Sequence, residues 1–295
     1  MTNQNYTIAT FKIDAKPIEP GLYIVATPIG NLGDITLRAL ETLAACDVIA
    51  CEDTRTSSKL LNRFNIKTRT IAYHEHNAAF ASEKMVAALD EGKTIALISD
   101  AGTPLISDPG YRIVNAASAA GHPVIPIPGA SALLSALMGA GLPTDSFFYG
   151  GFLPHKEKAK RDRLTEVSRI EATLILYESP NRLLASLKTA EDVLGGDRLA
   201  CVGRELTKSY EEFVRGTLSE LVETFSERAI KGEIVLIIGP PTQSEVMSDD
   251  EVMGWLKELA HDLPTGKAAS EAARLTNRPR KELYKILLDL KNKNP

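Results

Sequence analysis

The stretch TIALISDAGTPLISDPG, residues 94–110, combines two features that decide the fold class. Residues 94–99 form an apolar run of strand length, and residues 99–110 form a loop rich in Gly, Pro, Ser and Asp. A buried strand followed by such a loop is typical of the carboxyl edge of an open α/β sheet, where these folds bind ligands. Asp100 directly follows the strand and is therefore a candidate for ligand contact, or for capping its own loop.

The alternation of strand and helix patterns continues on both sides of this stretch. Asp34 is the expected N-cap of a first helix, and Gly92 is the expected stop of a helix near 79–91. Further buried strands are predicted at 22–26, 47–51, 69–74 and 123–128. This alternation predicts a mostly parallel sheet with helices on both faces.

A second α/β segment and a helical segment follow. After GLPTD (141–145) the strand pattern restarts, and it ends at Pro240-Pro241. Beyond a linker at 242–248, short helices joined by tight turns resemble a helix-turn-helix arrangement. The expected organisation is a mobile tail over 1–19, an α/β domain over 20–143, a second α/β domain over 144–241 and a helical domain over 249–295.

Composition and charge restrict the class of protein. The 295 residues are 44% hydrophobic and 24% charged, an ordinary globular balance. Since the formal net charge is −4, any nucleic-acid binding needs local basic patches. Three cysteines without CxxC spacing give neither a disulfide framework nor a metal site. With no signal peptide and no apolar run of membrane length, we expect a cytoplasmic protein that does not contact membranes.

Several motifs carry a family resemblance. TPIGNLGD (27–34), SDAGTPLISDPG (99–110), PGASA (128–132) and LILYESPNR (174–182) resemble, in this order, the tetrapyrrole (corrin/porphyrin) methylase family. The resemblance implies an α/β, two-domain tetrapyrrole-methylase-like fold, here with a small C-terminal helical domain, and S-adenosylmethionine (S-adenosyl-L-methionine) bound in the cleft between the two domains. It also implies cofactor contacts at Pro28, Asp100, Gly102, Thr103, Ser131, Ala132 and Tyr177.

Five further segments are similar to one branch of that family, which methylates RNA. They are CEDTRTSSKLL (51–61), YHEHN (73–77), GFLPHK (151–156), YESPNR (177–182) and GRELTK (203–208). The resemblance to this branch implies 2′-O-methylation of a cytidine ribose in 16S ribosomal RNA at the decoding centre. It also implies the 30S subunit as the context of the substrate, and a homodimer.

Methyl transfer to a ribose hydroxyl requires a group that removes the hydroxyl proton. Polar side chains at strand ends are the candidates for this general base: Asp53, His74, His76 and Glu178. Asp53 could equally serve as a helix N-cap, and the histidines as surface residues. The sequence does not select one of the four.

Positive charge for RNA phosphates is concentrated in two segments. Residues 155–163 hold five basic and two acidic side chains, and residues 264–295 hold eight and three. Each segment could also be an ordinary solvated face, or the second could pack on a partner subunit. The RNA-binding candidates are Lys156, Lys158, Lys160, Arg161, Arg278, Arg280 and Lys281.

Two other functions fit part of this pattern. One is a carbon methyltransferase acting on a tetrapyrrole such as precorrin or uroporphyrinogen, which has no evident use for the basic segments. The other is a non-catalytic RNA-binding factor of ribosome assembly, which predicts no cofactor binding.

Overall fold

The computed structural model describes residues 4–228, 230–241, 249–276 and 278–293. The chain divides into two compact units, Met1–Pro240 and Pro241–Pro295. The first unit contains two five-stranded sheets, and the second is helical. The linker expected at 242–248 lies outside the described residues.

A hairpin begins the first unit. Strands β1 (Asn5–Ile8) and β2 (Phe11–Asp14) pair antiparallel, and Tyr6 is buried in the core beneath the first sheet. Ile13 and Ile18 pack against the same core. The expectation of a mobile tail over 1–19 is therefore wrong for residues 4–19, because apolar side chains spaced along this segment anchor it. Residues 1–3 lie outside the described part of the chain.

The first sheet is fully parallel, as the strand-helix alternation predicts. Its strands run in the order β5-β4-β6-β3-β7 and are β3 (Gly21–Val25), β4 (Val48–Cys51), β5 (Arg69–Ala72), β6 (Thr94–Ile98) and β7 (Val124–Ile127). Four helices cover its two faces: α1 (Leu37–Ala45), α2 (Thr54–Arg63), α3 (Ala78–Asp90) and α4 (Tyr111–Ala119). Successive residues of β3 alternate between the faces, since Leu22 packs with α3 and α4 while Tyr23 packs with α1.

The first helix begins later than the sequence suggests. Thr36, and not Asp34, is its N-cap, because the Thr36 hydroxyl accepts a hydrogen bond from the Ala39 amide at 3.1 Å. Asp34 instead closes a 3₁₀ turn over Leu32–Asp34, which the Asn31 side chain caps.

The second sheet is mixed and not mostly parallel. Its strands run in the order β11-β10-β12-β9-β8 and are β8 (Phe147–Phe152), β9 (Thr173–Glu178), β10 (Leu199–Arg204), β11 (Glu212–Thr217) and β12 (Ile234–Ile238). Only β8 and β9 pair parallel among these strands; the other neighbours are antiparallel. The link from β10 to β11 is too short for a crossover helix, so these two strands form a hairpin.

Three helices cover one face of the second sheet, and one helix covers the other. That helix belongs to the first half of the first unit, by which we mean the part before β8; the second half runs from β8 to the end of the unit. Helices α6 (Glu157–Val167), α7 (Pro180–Leu194) and α8 (Leu218–Ser226) enclose one core, and a Thr217–Glu220 capping box begins α8. On the opposite face α5 (Ala132–Ala140) places Ala136, Leu137 and Ala140 against the sheet. Helix α5 therefore connects the two sheets both covalently and by packing.

The second unit consists of three helices around a small core. They are α9 (Asp249–Asp262), α10 (Thr265–Thr276) and α11 (Arg280–Lys293). Ala268, Ala269 and Ala272 on α10 are fully buried against Leu256 and Leu283 of the neighbouring helices. Small side chains on the middle helix allow the close approach that a short three-helix unit needs. Within the described residues, no helix has both the length and the apolarity to cross a bilayer.

We predict that Gly139→Ala lowers the melting temperature of the first unit. A Cβ at Gly139 would lie 2.2 Å from Cζ of Phe213, and the Arg215 guanidinium stacks 5.2 Å from the centre of that ring. Overpacking of this kind costs about 1–3 kcal/mol, against at most about 1 kcal/mol gained in helix propensity. Thermal unfolding followed by circular dichroism measures the net effect.

The control is the same substitution in a Phe213→Leu background. With the ring removed, Gly139→Ala should stabilise the protein, because only the propensity term remains. A higher melting temperature for Gly139→Ala with Phe213 intact would contradict the close packing of α5 on the second sheet.

Candidate functional site

Three loops at the carboxyl edge of the first sheet are joined by hydrogen bonds. The Thr27 amide donates to the Gly102 carbonyl at 2.8 Å, and the Gly102 amide donates back to the Thr27 carbonyl at 3.0 Å. The Thr103 hydroxyl donates to the Ala130 carbonyl at 3.2 Å, which adds the loop before α5. Gly102 has φ +79°, a left-handed conformation that favours glycine. The loops 27–34, 99–110 and 128–132 therefore form one surface.

A cavity of about 410 Å³ lies between this surface and the second sheet. The first half contributes Ile29, residues 101–103 and 106–108, and Ser131 and Ala132. The second half contributes Phe152, residues 177–180, Leu206 and residues 232–235. Mostly apolar walls with a few converging polar groups are typical of a small-molecule site of this size.

A chain of hydroxyl groups crosses from one half of the first unit to the other. The Ser107 and Tyr149 hydroxyls are 2.6 Å apart, and the Tyr149 and Tyr177 rings meet edge to face with centres 5.1 Å apart. Burial raises the pKa of both phenols, so they remain protonated and able to donate hydrogen bonds. The Tyr177 ring is also packed edge to face on Phe152.

The GRELTK segment (203–208) closes another side of the cavity. Its Lys208 stem lies so close over Gly30 that a Cβ there would be 2.5 Å from Cγ of Lys208. The Lys208 ammonium pairs with Glu205 at 2.9 Å and Glu233 at 3.0 Å. Glu205 (φ +49°) and Thr207 (φ +66°) are both left-handed without being glycine. Strained backbone of this kind is concentrated at functional sites.

The structure brings together most of the residues predicted to contact the cofactor. Gly102, Thr103, Ser131, Ala132 and Tyr177 line the cavity. Ser131 is the N-cap residue of α5, yet its side chain makes no capping bond and so remains available to a ligand. Of the other two predicted residues, Pro28 is buried beside the wall residue Ile29, and Asp100 is exposed beside the wall residue Ala101. The role of these residues as cofactor contacts stays a prediction.

Two of the four base candidates lie in helix-capping or turn positions. Asp53 is the N-cap of α2, and its carboxylate accepts from the Arg55 amide at 2.8 Å and pairs with the Arg55 guanidinium at 3.0 Å. The hydrogen bonds from Arg55 lower the pKa of Asp53, which makes it a weak base. His76 is exposed in the turn before α3, with its ring 6.1 Å from that of His74.

His74 is half-buried at the end of β5. Its Nδ1 atom is buried and has no hydrogen-bond partner among the described residues. The neighbouring carboxyl of Glu52 has a raised pKa because of burial and the nearby Asp100 carboxylate, and His74 partly opposes this rise. His74 and Glu52 therefore belong to a polar group at the end of β4 and β5.

Glu178 is buried and fully engaged. Its two carboxylate oxygens accept from the Ser179 amide at 2.8 Å and from the Ser186 hydroxyl at 2.5 Å. The Arg182 guanidinium lies 3.3 Å away and also donates to the Leu153 carbonyl. The YESPNR and GFLPHK segments are thus tied together at the cavity wall, and the role of Glu178 as a base stays a prediction.

The first basic segment is only partly available to a phosphate. Lys160 is 3% exposed and pairs with Glu157 at 3.2 Å, so its selection as an RNA contact is wrong, because a buried and paired ammonium offers little surface to a phosphate. Arg161 is exposed but pairs with Asp192 at 2.9 Å. Lys156 and Lys158 are exposed at the start of α6.

The RNA-binding candidates of the second basic segment lie at the start of α11 in the helical unit. Arg280 and Lys281 are exposed in the first turn of the helix. Arg278 is half-buried and lies 3.6 Å from Glu282. Tyr284 is 39% exposed one turn further along. The assignment of these side chains to RNA stays a prediction.

The sequence reasoning missed Asp108. This carboxyl lines the cavity, and burial raises its pKa to about 6, with the Glu52 and Asp100 carboxylates adding to the rise. A signal was present, because SDAGTPLISDPG contains the pair Ser-Asp twice, as Ser99-Asp100 and Ser107-Asp108. Only the first pair directly follows a strand, so the position of the second pair in the sequence gives no indication of a site.

Among the described residues, no group of three or more His, Cys, Asp or Glu side chains is arranged to hold a metal ion.

Two family models match the sequence of this chain. The model for Tetrapyrrole (Corrin/Porphyrin) Methylases matches residues 21–222, and the model for the RsmI C-terminal HTH domain matches residues 246–291. The first match covers the first sheet and the second sheet as far as β11 and most of α8, and the second match falls on the helical unit.

Individual proteins that are similar to this chain in sequence or in structure are consistent with these matches. Ribosomal RNA small subunit methyltransferase I from Mesorhizobium japonicum is 53% identical over 284 residues, which cover 95% of this chain and 96% of that protein. The solved structure of diphthine synthase is 16% identical with a TM-score of 0.59, over 74% of this chain and 89% of that one.

The uroporphyrin-III C-methyl transferase from Thermus thermophilus, solved as a complex with S-adenyl homocysteine, is 18% identical with a TM-score of 0.52, over 74% of this chain and 97% of that one. At this low identity the two solved structures show a shared fold. The chain therefore belongs to the tetrapyrrole (corrin/porphyrin) methylase family and, within it, to the family of the ribosomal RNA small subunit methyltransferase I proteins.

Proposed function

We propose that this chain is an S-adenosylmethionine-dependent methyltransferase of ribosomal RNA, and that it methylates the ribose 2′-hydroxyl of a cytidine in 16S rRNA at the decoding centre. The observation that carries the proposal is the cavity between the two sheets, whose walls are the loops that define the family resemblance. Relatives named as rRNA small subunit methyltransferases support the class of substrate. The finer parts of the proposal are supported by the motif resemblance to the RNA-methylating branch of the family. They are the cytidine, its 2′-oxygen, the 30S context and a homodimer.

The cavity fits a nucleoside-bearing cofactor. Its volume of about 410 Å³ and its Ile29, Ile106 and Leu206 walls suit a purine and a ribose. At Gly102 a Cβ would lie 3.2 Å from Cγ2 of Ile29, so the absence of a side chain keeps this wall open. The Asp108 carboxyl lines the same cavity.

The residues of this chain have three tasks in such a reaction. When bound, S-adenosylmethionine supplies a methyl group on a good leaving group. The cofactor would be held by Gly102, Thr103, Ser131, Ala132 and Tyr177. The hydrogen bond between the Ser107 and Tyr149 hydroxyls fixes one wall of the cavity to the other. Apolar walls exclude water, and the substrate hydroxyl must be placed about 3 Å from the methyl carbon.

The helical unit favours RNA over a tetrapyrrole as the substrate. Its match to an HTH family model lies over 246–291, and Arg280 and Lys281 are exposed there. The uroporphyrin-III C-methyl transferase aligns with only 74% of this chain. A helix-turn-helix unit with exposed cations is of use to an enzyme that meets phosphates.

Methyl transfer to 30S subunits from a strain lacking the enzyme tests the function. We predict that the purified chain moves label from S-adenosylmethionine to 16S rRNA, and that nuclease digestion yields 2′-O-methylcytidine by mass spectrometry. A methyl group on a base would contradict the ribose 2′-oxygen as the acceptor. Transfer to uroporphyrinogen and none to RNA would contradict the RNA substrate.

We also predict that Lys156→Ala combined with Lys158→Ala weakens binding to 16S rRNA and makes it less dependent on salt. Each lost phosphate contact lowers the slope of log affinity against log salt by roughly 0.7–0.9, so the slope should fall by about 1.5. Filter binding at salt concentrations from about 50 to about 200 mM measures this slope.

Lys188→Ala is the matched control, since Lys188 is an exposed lysine on the neighbouring helix α7. It should leave the slope unchanged. Lys160→Ala should lower the melting temperature and not the slope, because Lys160 is buried. An unchanged slope in the double variant would remove α6 from the RNA interface.

A further inference from the structure

Four side chains that titrate line the cavity: Asp108, Tyr177, Glu178 and Glu233. Glu178 has both oxygens engaged by Ser179 and Ser186. Glu233 is paired with Lys208 at 3.0 Å, and its side chain is 77% exposed at the rim. Tyr177 is kept protonated by burial. Asp108 is therefore the one carboxyl of the described cavity wall whose oxygens are not held by a neighbouring cation or by two hydrogen bonds.

Asp108 lies in a loop with an unusual backbone conformation. Leu105 (φ +73°) and Ser107 (φ +61°) are both left-handed, and Pro109 follows directly. The Ser107 hydroxyl is fixed 2.6 Å from the Tyr149 hydroxyl on the second sheet. Because strained backbone persists only where its surroundings impose it, the contacts of this loop maintain the conformation in which Asp108 lines the cavity.

The groups around Asp108 favour its acceptance of a proton. The Glu52 and Asp100 carboxylates raise the pKa of Asp108 in addition to burial, and the Ser99 hydroxyl partly opposes them. The Tyr149 and Tyr177 phenols face it from the second sheet. Among the described residues, no Lys, Arg or His pairs with it to hold it ionised. A carboxyl with a pKa near 6 is ionised at neutral pH yet more basic than an ordinary aspartate.

We infer that Asp108 is the catalytic base that takes the proton of the substrate hydroxyl, an inference that rests on the proposed methyl transfer. None of Asp53, His74, His76 and Glu178 is then required for this step. The substrate oxygen forms its bond to the methyl carbon and displaces a neutral thioether, whose sulfur keeps the electron pair. The hydroxyl proton passes to a carboxylate oxygen of Asp108 and leaves to water after the product departs.

The test compares the wild-type chain with Asp108→Asn, which preserves shape but accepts no proton, and with Asp108→Glu. Asp197→Asn, an exposed aspartate in a turn of the same unit, is the control. We expect kcat on 30S subunits to fall by roughly 10²–10⁴-fold in Asp108→Asn, the usual contribution of a general base. Asp108→Glu should recover part of this loss. The affinity for S-adenosylhomocysteine, by calorimetry, should stay within about threefold, well under the 1.4 kcal/mol of a tenfold change.

The pH profile is a readout that a merely structural role would not change. For wild type, kcat/KM should rise with pH through about 6, because Asp108 must be ionised to act. This limb should be absent in Asp108→Asn.

The pH dependence of thermal stability provides a test that does not depend on enzyme activity. The folded-state pKa of Asp108 is raised from 3.8 to about 6, so the folded protein binds more protons than the unfolded chain in this window and loses stability as pH rises through it. Asp108→Asn should therefore melt at a higher temperature than wild type at pH 7.5, and the difference should shrink at pH 5.

The outcomes separate the inference from the function. If wild type methylates RNA but Asp108→Asn keeps its kcat and its acidic limb, the assignment of the base is wrong and the function stands. If Asp108→Asn loses cofactor binding in parallel with kcat, Asp108 is a cofactor contact and not the base. If wild type transfers no methyl group to RNA, the proposed function fails and takes this inference with it.

Discussion

The packing of α5 beneath the second sheet is the constraint on which the rest of the first unit depends. The helix follows β7 of the first sheet after the loop 128–131, and its face of Ala136, Leu137 and Ala140 is buried against Ile175, Cys201 and Ile237. Small side chains and Gly139 allow the helix axis to approach the strands closely. Because the same helix begins at Ser131, this packing also fixes the last of the three loops at the mouth of the cavity.

The cavity follows from that constraint, and so does its chemistry. With the two sheets fixed to each other, the Ser107 hydroxyl reaches Tyr149 and the Lys208 stem crosses Gly30. These contacts close an apolar space in which a carboxyl becomes difficult to ionise, which is the cause of the raised pKa of Asp108. Fold and electrostatics are therefore linked by burial: the same packing that closes the cavity raises the pKa of the Asp108 carboxyl in its wall.

The sequence predicted the elements better than their side-chain partners. Hydrophobic periodicity and the positions of Gly, Pro and capping residues were sufficient to predict the parallel first sheet and the helices of the second unit, because both depend on local sequence patterns. They were not sufficient for the hairpin at 5–14, where Tyr6 is buried only through a tertiary contact, or for the mixed second sheet. Loop composition identified the surface around Gly102 and Ser131. Whether a polar residue is paired is a tertiary property: Lys160 and Glu178 are buried in ion pairs, while Asp108 is partly buried without a cation beside it among the described residues.

Hydrogen–deuterium exchange with and without S-adenosylhomocysteine tests the central claim, that one cleft built from both halves of the first unit holds the cofactor. Saturating ligand is expected to slow amide exchange at 101–108 and 130–133 in the first half, and at 177–179, 205–207 and 232–235 in the second. Protection limited to one half, or no protection at saturating ligand, would contradict it.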